Sequence, residues 1–270
     1  MERIVADLEA YYAKFNEDHR LSTRHGQVEF ITSMKYIHDF IPQGKTLRIC
    51  DVGAGTGRYA LALASEGHDV TAVEPVERNR LAMEAKHGMV NIWPGNAMDL
   101  HFLKDAWFDI TLLFGPLYHL HKTEERLAAL SEARRITRPG GIIFVAYIMN
   151  EYSMIEYCFK KNKIRECMAD GSVDATFHTV ASEDSLYSYV RLEDIQALNE
   201  SAGLQRIKIV AADGPSDYMR RTLNAMDEET FALFVRYHLA TCERPELLGA
   251  SSHTVDILQN IPPMPKLVLG

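Results

Sequence analysis

The sequence predicts an α/β fold, a mostly parallel, doubly wound sheet with helices on both faces and helical capping elements. Three observations predict it. Between residues 46 and 148 short apolar runs alternate with amphipathic stretches, the rhythm of repeated strand–helix–strand units. The apolar runs are near-continuous in Val, Ile, Leu and Phe, as strands buried on both faces require. Gly or Pro stands close behind most of the segments, marking their ends.

The elements follow in order. Residues 1–44 read as helical, with aromatics at 11–15 and 30–40, until Pro42-Gln43-Gly44 stops the pattern. A strand at 47–52 leads into a helix at 58–66, a strand at 69–74 into a helix at 77–87, and a third strand follows at 90–93. A strand at 108–114 ends on Gly115-Pro116, a helix covers 122–136, and Pro139-Gly140-Gly141 turns into a strand at 142–148. Beyond Met149 the rhythm is lost. A helix at 151–168 precedes a polar stretch of weak strand character to residue 187. Helices at 192–202, 216–226 and 228–242 and strands at 205–211 and 254–259 complete the chain. The organisation expected is a helical cap (1–44), a ligand-binding core (45–150), a capping insertion (151–203) and a segment completing the core (204–270).

Composition narrows the function classes. Of 270 residues, 47% are hydrophobic and 24% charged, a globular balance with ample material for a core. No run of some 18 apolar residues exists, which argues against a membrane span. The first residues lack a signal-peptide core, so a cytoplasmic protein is expected. Cys50, Cys158, Cys167 and Cys242 form no CxxC pair and no cluster of three; they read as buried apolar groups, not as metal or iron–sulfur ligands. The net charge of −8 makes nucleic acid an improbable partner. Arg134, Arg135 and Arg138 read as a solvated helix end near favourable carbonyl dipoles.

The most informative segment is Leu47-Arg-Ile-Cys-Asp51-Val-Gly53-Ala-Gly55-Thr-Gly57. It joins a buried strand to a helix through alternating glycines, which accept positive φ and let a ligand approach the backbone. A dinucleotide loop spaces its glycines G-x-G-x-x-G and receives a pyrophosphate at the helix terminus. Here the spacing is D-x-G-x-G-x-G, and the Asp51 carboxylate suits an amino group and repels a phosphate. Glu74 closes the next strand before Pro75; its two oxygens can bind both ribose hydroxyls. Glu74 alone fits either a nicotinamide dinucleotide or an adenosyl nucleoside, and Asp51 favours the second.

Residues 45–150 resemble the class I S-adenosylmethionine-dependent methyltransferases, which have a Rossmann-like fold. The resemblance implies that Asp51 orders the methionine amino end and that Gly53, Ala54, Gly55 and Gly57 lie along the cofactor, with Glu74 and Pro75 at the ribose. Gly95-Asn96-Ala97-Met98-Asp99-Leu100 resembles the adenine-binding loop, with Asn96 where the family often has an acid. Asn96 is expected to turn its amide oxygen to the adenine amino group, the Ala97 N–H to meet a ring nitrogen, and Met98 to pack on the ring. Phe114-Gly115-Pro116-Leu117-Tyr118-His119-Leu120 resembles the loop after the family's fourth strand, in the form a bacterial subgroup has. That likeness extends to residues 17–30 and implies that Tyr11 and Arg20 help close the cofactor pocket. The cofactor expected is S-adenosyl-L-methionine, with S-adenosyl-L-homocysteine as product.

Methyl transfer from a sulfonium is an in-line displacement in which positioning can dominate, so no catalytic dyad is demanded. His119 is the preferred neighbour of the acceptor, because it follows a strand whose carboxyl end should face the ligand and its imidazole can accept a proton near neutral pH. Tyr118 is a companion candidate, and His121 is expected at the surface. His238 and Cys242, one helical turn apart with His253 further on, offer metal-ligand spacing, but no third ligand is identifiable and packing is the simpler reading; no metal is expected. Tyr147, Tyr152, Tyr157, His178, Arg191 and Tyr218 are weaker candidates for an acceptor pocket. The reading favours a small-molecule acceptor and a monomer or homodimer. Protein or nucleic-acid methylation, a nicotinamide-dependent oxidoreductase and a non-catalytic adenosyl-binding protein stay open as alternatives.

Overall fold

A computed structural model of the chain describes residues 23–182 and 184–261. Seven strands form one sheet: β1 Arg48–Val52, β2 Asp69–Val73, β3 Val90–Trp93, β4 Phe108–Leu113, β5 Thr137–Ile148, β6 Gln205–Ala211 and β7 His253–Gln259. Their order is β3-β2-β1-β4-β5-β7-β6. The first five strands pair in parallel and β7 runs antiparallel to both its neighbours. The order reverses between β1 and β4, which leaves a crevice at their carboxyl ends, where doubly wound sheets bind ligands.

Helices cover both faces. One face packs on α1 (Arg24–His38), α2 (Arg58–Ser65) and α3 (Glu77–Glu84), through Ile37, Leu63 and Met83. The turn α4 (Pro116–His119) leads to α5 (Thr123–Ile136). Next come α6 (Asn150–Ser153), α7 (Ile164–Ala169) and α8 (Leu192–Ala202), then α9 (Arg220–Ala225), α10 (Glu228–Thr241) and α11 (Pro245–Leu248). The second face packs on α5 and α8, through Leu130, Ala133, Ile195 and Leu198. Side chains alternate between the two layers along each strand: in β1, Ile49 joins the first and Cys50 the second.

The strand and helix alternation of the core follows the expected pattern, with differences where local signals conflict. The helix expected at 151–168 is broken: a π-helical turn at Met154–Phe159 follows α6, and Asn162 takes a positive φ of 56° before α7. Asn tolerates that conformation better than most residues, so it ends the run. The polar stretch before residue 187 contributes, among the described residues, an isolated bridge between Val173 and Thr179 instead of a strand. Helix α9 begins at Arg220, later than the expected 216. Strand β5 starts at Thr137, before the Pro-Gly-Gly turn, and absorbs it as a register shift between Phe108 and Ile110 on β4.

The arginines near the end of α5 are structural ties, not a solvated run. Arg135 donates to Glu132 and to the Leu100 and Leu103 carbonyls, Arg138 pairs with Asp109, and Arg134 donates to the Ala202 carbonyl. All four cysteines are buried free thiols. Among the described residues no helix is long and apolar enough to cross a membrane.

Candidate active site

The glycine loop sits at the carboxyl ends of β1 and β2. Asp51 shares the sheet face of Ile49 and points under the start of α2, where one carboxylate oxygen accepts the Ala60 N–H at 3.2 Å. Glu74 follows β2 on the same face. It accepts the Gly55 N–H at 2.8 Å with one oxygen, and the Val76 N–H (3.0 Å) and Asn79 amide (3.1 Å) with the other. Both acids are buried. Burial pushes the Asp51 carboxyl up to about 7, against the Ala60 hydrogen bond and with help from the Glu74 charge. Burial also raises Glu74, opposed by its three hydrogen bonds and by Arg80. Arg80 donates to the Glu74 and Pro75 carbonyl oxygens, not to either carboxylate.

The three glycines serve different ends. All have positive φ. A Cβ on Gly53 would lie 2.7 Å from the Pro116 ring, and one on Gly57 would lie 2.5 Å from the Met83 side chain. These two are glycine so that the loop can pack. Gly55 has nothing within 4 Å of its Cβ position. Of the three glycines, only Gly55 has an open Cβ position. The Gly53 and Ala54 N–H groups donate to the Val73 carbonyl and the Gly57 N–H to the Ala54 carbonyl, so the loop holds its own shape.

The other residues singled out by sequence take several places. Asn96 turns its amide oxygen to the Met98 N–H at 2.9 Å, leaving one lone pair on that oxygen for a further donor. Ala97 is buried and Met98 partly buried against the α5 face of the core. Phe114 packs edge-on against Tyr59 and Phe144. Tyr11 and Arg20 lie outside the described residues.

Beyond Gly115 a chamber of about 730 Å³ opens, and both Tyr118 and His119 line it. The Tyr118 hydroxyl stands 3.5 Å from the Cβ position of Gly115, beside the Gly53 carbonyl, so this ring borders both loop and chamber. His119 is buried, its Nδ1 at 3.0 Å from the Leu186 carbonyl, which makes Nδ1 the protonated nitrogen. Burial holds its pKa down to about 4, so the ring is neutral at pH 7. Of the weaker candidates, Tyr152, Tyr157 and Tyr218 line the chamber. Tyr147 is buried in the core, Arg191 braces Glu151, and His178 pairs with Asp194.

One expectation is corrected. His121 is half-buried with an enclosed Nε2, in a cavity also walled by residues 178–181 and 188–190. His238, Cys242 and His253 do not converge. The Cys242 thiol meets the Tyr36 hydroxyl at 3.2 Å, and His238 is packed under Gly214. His253 instead joins Asp213, its Nδ1 2.7 Å from one carboxylate oxygen and 3.9 Å from Glu29. The other Asp213 oxygen accepts the Ser251 hydroxyl and the His253 N–H. The His253 ring lines the chamber and lies 6.4 Å from the Tyr118 ring. Sequence reading missed Asp213, Tyr187 and Tyr189. Asp213 had one available signal, an acid in an Asp-Gly-Pro turn directly after a strand.

Residues 50–145 match the family model of the methyltransferase domain. The sheet order and its flanking helices are those of the class I methyltransferase fold. Over 107 residues it is 36% identical to an O-methyltransferase of Aspergillus nomiae, covering 37% of this chain and 45% of that protein. It is 28% identical over 177 residues to a demethylmenaquinone methyltransferase of Renibacterium salmoninarum, covering 66% of this chain and 70% of the relative. The chain spans less than half the length of the first two curated relatives it matches. Among solved structures, the 1,6-didemethyltoxoflavin-N1-methyltransferase of Burkholderia thailandensis, crystallised with S-adenosylhomocysteine, superposes with a TM-score of 0.56 at 16% identity, over 97% of this chain and 88% of that one. An S-adenosylmethionine-dependent methyltransferase of Thermotoga maritima gives 0.53 at 20% identity, over 96% and 97%. The structural likenesses show a Rossmann-like fold.

Proposed function

We propose that the protein transfers a methyl group from S-adenosyl-L-methionine to a small-molecule acceptor, leaving S-adenosyl-L-homocysteine. One observation carries the reading. Two buried carboxylates, Asp51 and Glu74, stand at the glycine loop, Glu74 on the Gly55 N–H beside its open Cβ position and Asp51 under the start of α2, and neither makes an ion pair among the described residues. A pyrophosphate would be repelled there, whereas a cationic nucleoside supplies the missing charge.

In this reading Asp51 takes the methionine amino group and Glu74 the ribose hydroxyls, while Gly53, Ala54, Gly55 and Gly57 shape the cradle. Asn96, Ala97 and Met98 meet the adenine, and Pro75, Phe114 and Gly115 close the sides. When bound, the sulfonium supplies an electrophilic methyl carbon. The residues of the chain orient the nucleophile and exclude water. Tyr118 borders loop and chamber, and His119, neutral at pH 7, positions the loop through Leu186. His253 receives the proton of the acceptor's O–H or N–H, and Asp213 holds the resulting imidazolium.

A chamber of this volume suits a small ligand, and the O-methyltransferase and demethylmenaquinone methyltransferase relatives support that class. Four buried free thiols suit a reducing, cytoplasmic setting, and we propose a monomer or homodimer. The test is calorimetric titration with S-adenosylmethionine, followed by a labelled-methyl assay on fractionated cell extract and identification of the product. A folded protein that binds no S-adenosylmethionine would sink the proposal.

A further inference from the structure

A second cavity, of about 410 Å³, lies behind segment 188–190 and shares one wall residue, Tyr189, with the chamber. His121 just before α5 and Arg126 in its first turn, Thr179 and Ser188, and Asp194, Leu198 and Ser201 of α8 line it. Its charges do not balance internally. Arg126 donates through Nε to the Leu120 carbonyl at 2.8 Å and through Nη2 to the Ser188 hydroxyl. Both acceptors are neutral, and among the described residues no carboxylate lies within ion-pair reach of this guanidinium.

The acid of the cavity, Asp194, is already engaged. It accepts His178 Nε2 at 2.8 Å, while His178 Nδ1 lies 2.9 Å from the Thr179 carbonyl. Two acceptors satisfy a ring only when both nitrogens carry protons, so His178 and Asp194 cancel. Arg126 is left with its charge. In the same walls His121 Nε2 and the Thr179 hydroxyl are enclosed without a hydrogen-bond partner. Polar groups buried in this way are costly unless something pairs with them.

From this arrangement we infer that the cavity is a second ligand site, taking a small oxyanion, a carboxylate or a phosphate, on Arg126. The Thr179 hydroxyl donates to a second oxygen. His121 accepts a hydroxyl of the ligand or, once protonated, donates to its oxygen. The Ser188 N–H meets the Tyr118 carbonyl at 2.8 Å, so an occupant bears on the wall of the chamber. The site does not depend on the methyltransferase reading.

The test is calorimetric titration of the full chain with inorganic phosphate and, separately, acetate, at ionic strength matched with chloride. Saturable binding of one of them is expected, and the preferred ion names the ligand chemistry. Arg126→Gln should weaken it at least about tenfold, as loss of a charge-assisted contact implies. Thr179→Val should weaken it several-fold while leaving the protein at least as stable, because an unsatisfied buried hydroxyl is removed. If Arg126→Gln does not fold, Thr179→Val alone decides. No saturable binding of either ion, or binding unchanged in the folded variants, overturns the inference. Since no cofactor enters the titration, failure here and failure to bind S-adenosylmethionine are read separately.

Discussion

The Glu74 carboxylate accepts the Gly55 N–H at 2.8 Å, so the acid that follows β2 fixes the one glycine of the loop whose Cβ position is open. The same side chain holds Val76 and Asn79. Glu74 therefore shapes the loop as well as facing the ligand space, and its loss must be read in both stability and binding. Glu74→Ala leaves two backbone N–H groups without their acceptor and should cost about 1–3 kcal/mol of folding stability in urea unfolding. Affinity for S-adenosylmethionine should fall by a further 1.5–3 kcal/mol or so, measured by calorimetry on the folded variant. Unchanged affinity would falsify the ribose role.

Asp51 carries a pH signature. In the folded chain it keeps its proton up to about pH 7, whereas in the unfolded chain it loses it near the ordinary value of about 3.9. The folded state thus holds the extra proton between those limits, and the contribution of Asp51 to stability falls as pH rises through that window. Asp51→Asn removes this slope, so the variant should gain on the wild type between about pH 4 and about pH 7 in urea unfolding. A cation that needs the ionised carboxylate binds more tightly as pH rises towards 7, by up to roughly tenfold per unit. Asp51→Asn should flatten that rise in calorimetry.

Gly55 and Gly57 should separate binding from stability. Alanine at Gly57 meets Met83 at a φ of 85°, which should cost roughly 1–3 kcal/mol or more in unfolding measurements. Alanine at Gly55 meets no protein atom. It should cost about 1 kcal/mol of stability from its positive φ, yet weaken S-adenosylmethionine far more than Gly57→Ala does. Equal affinity losses would mean that the space over Gly55 is not where the nucleoside lies.

The parallel core and its loop were readable in the sequence because their signals are local. A strand buried on both faces is a continuous apolar run, and a loop needing positive φ shows glycine. The different duties of Gly53, Gly55 and Gly57 were not readable, since they depend on Pro116 and Met83 arriving from elsewhere. The pairing of His253 with Asp213 spans 40 residues and two antiparallel strands, and no spacing rule encodes it. Tyr187 and Tyr189 reach the chamber from a segment without periodicity. His121 looked exposed because the residues that wall it in, 178–181 and 188–190, have no pattern that places them there.

Arg206 and Asp256 make a stability prediction away from the site. Asp256 on β7 is fully buried and takes both Arg206 Nε at 2.7 Å and Nη2 at 2.8 Å, with the Asn199 amide at 2.6 Å. Arg206→Ala strands that carboxylate and should cost about 3–5 kcal/mol. Asn199→Ala, which leaves the bidentate pair intact, should cost less. Urea midpoints of the two variants at neutral pH check the order.

In the proposed reaction His119 and His253 take different roles. With a pKa near 4, His119 takes up no proton between pH 5 and 8, so it imposes no limb on a pH–rate profile there. It holds Leu186, and His119→Asn should act mainly through KM by loosening the wall. The Asp213 carboxylate at His253 Nδ1 stabilises an imidazolium formed by proton transfer. Asp213→Asn and His253→Asn should therefore lower kcat by roughly 10²–10⁴-fold, the usual worth of a positioned base, with S-adenosylmethionine affinity retained in calorimetry. The acceptor is the one identified from extract fractions, and rates across pH 5.5–9 separate the roles. A loss of kcat in His119→Asn with none in His253→Asn would reverse the assignment.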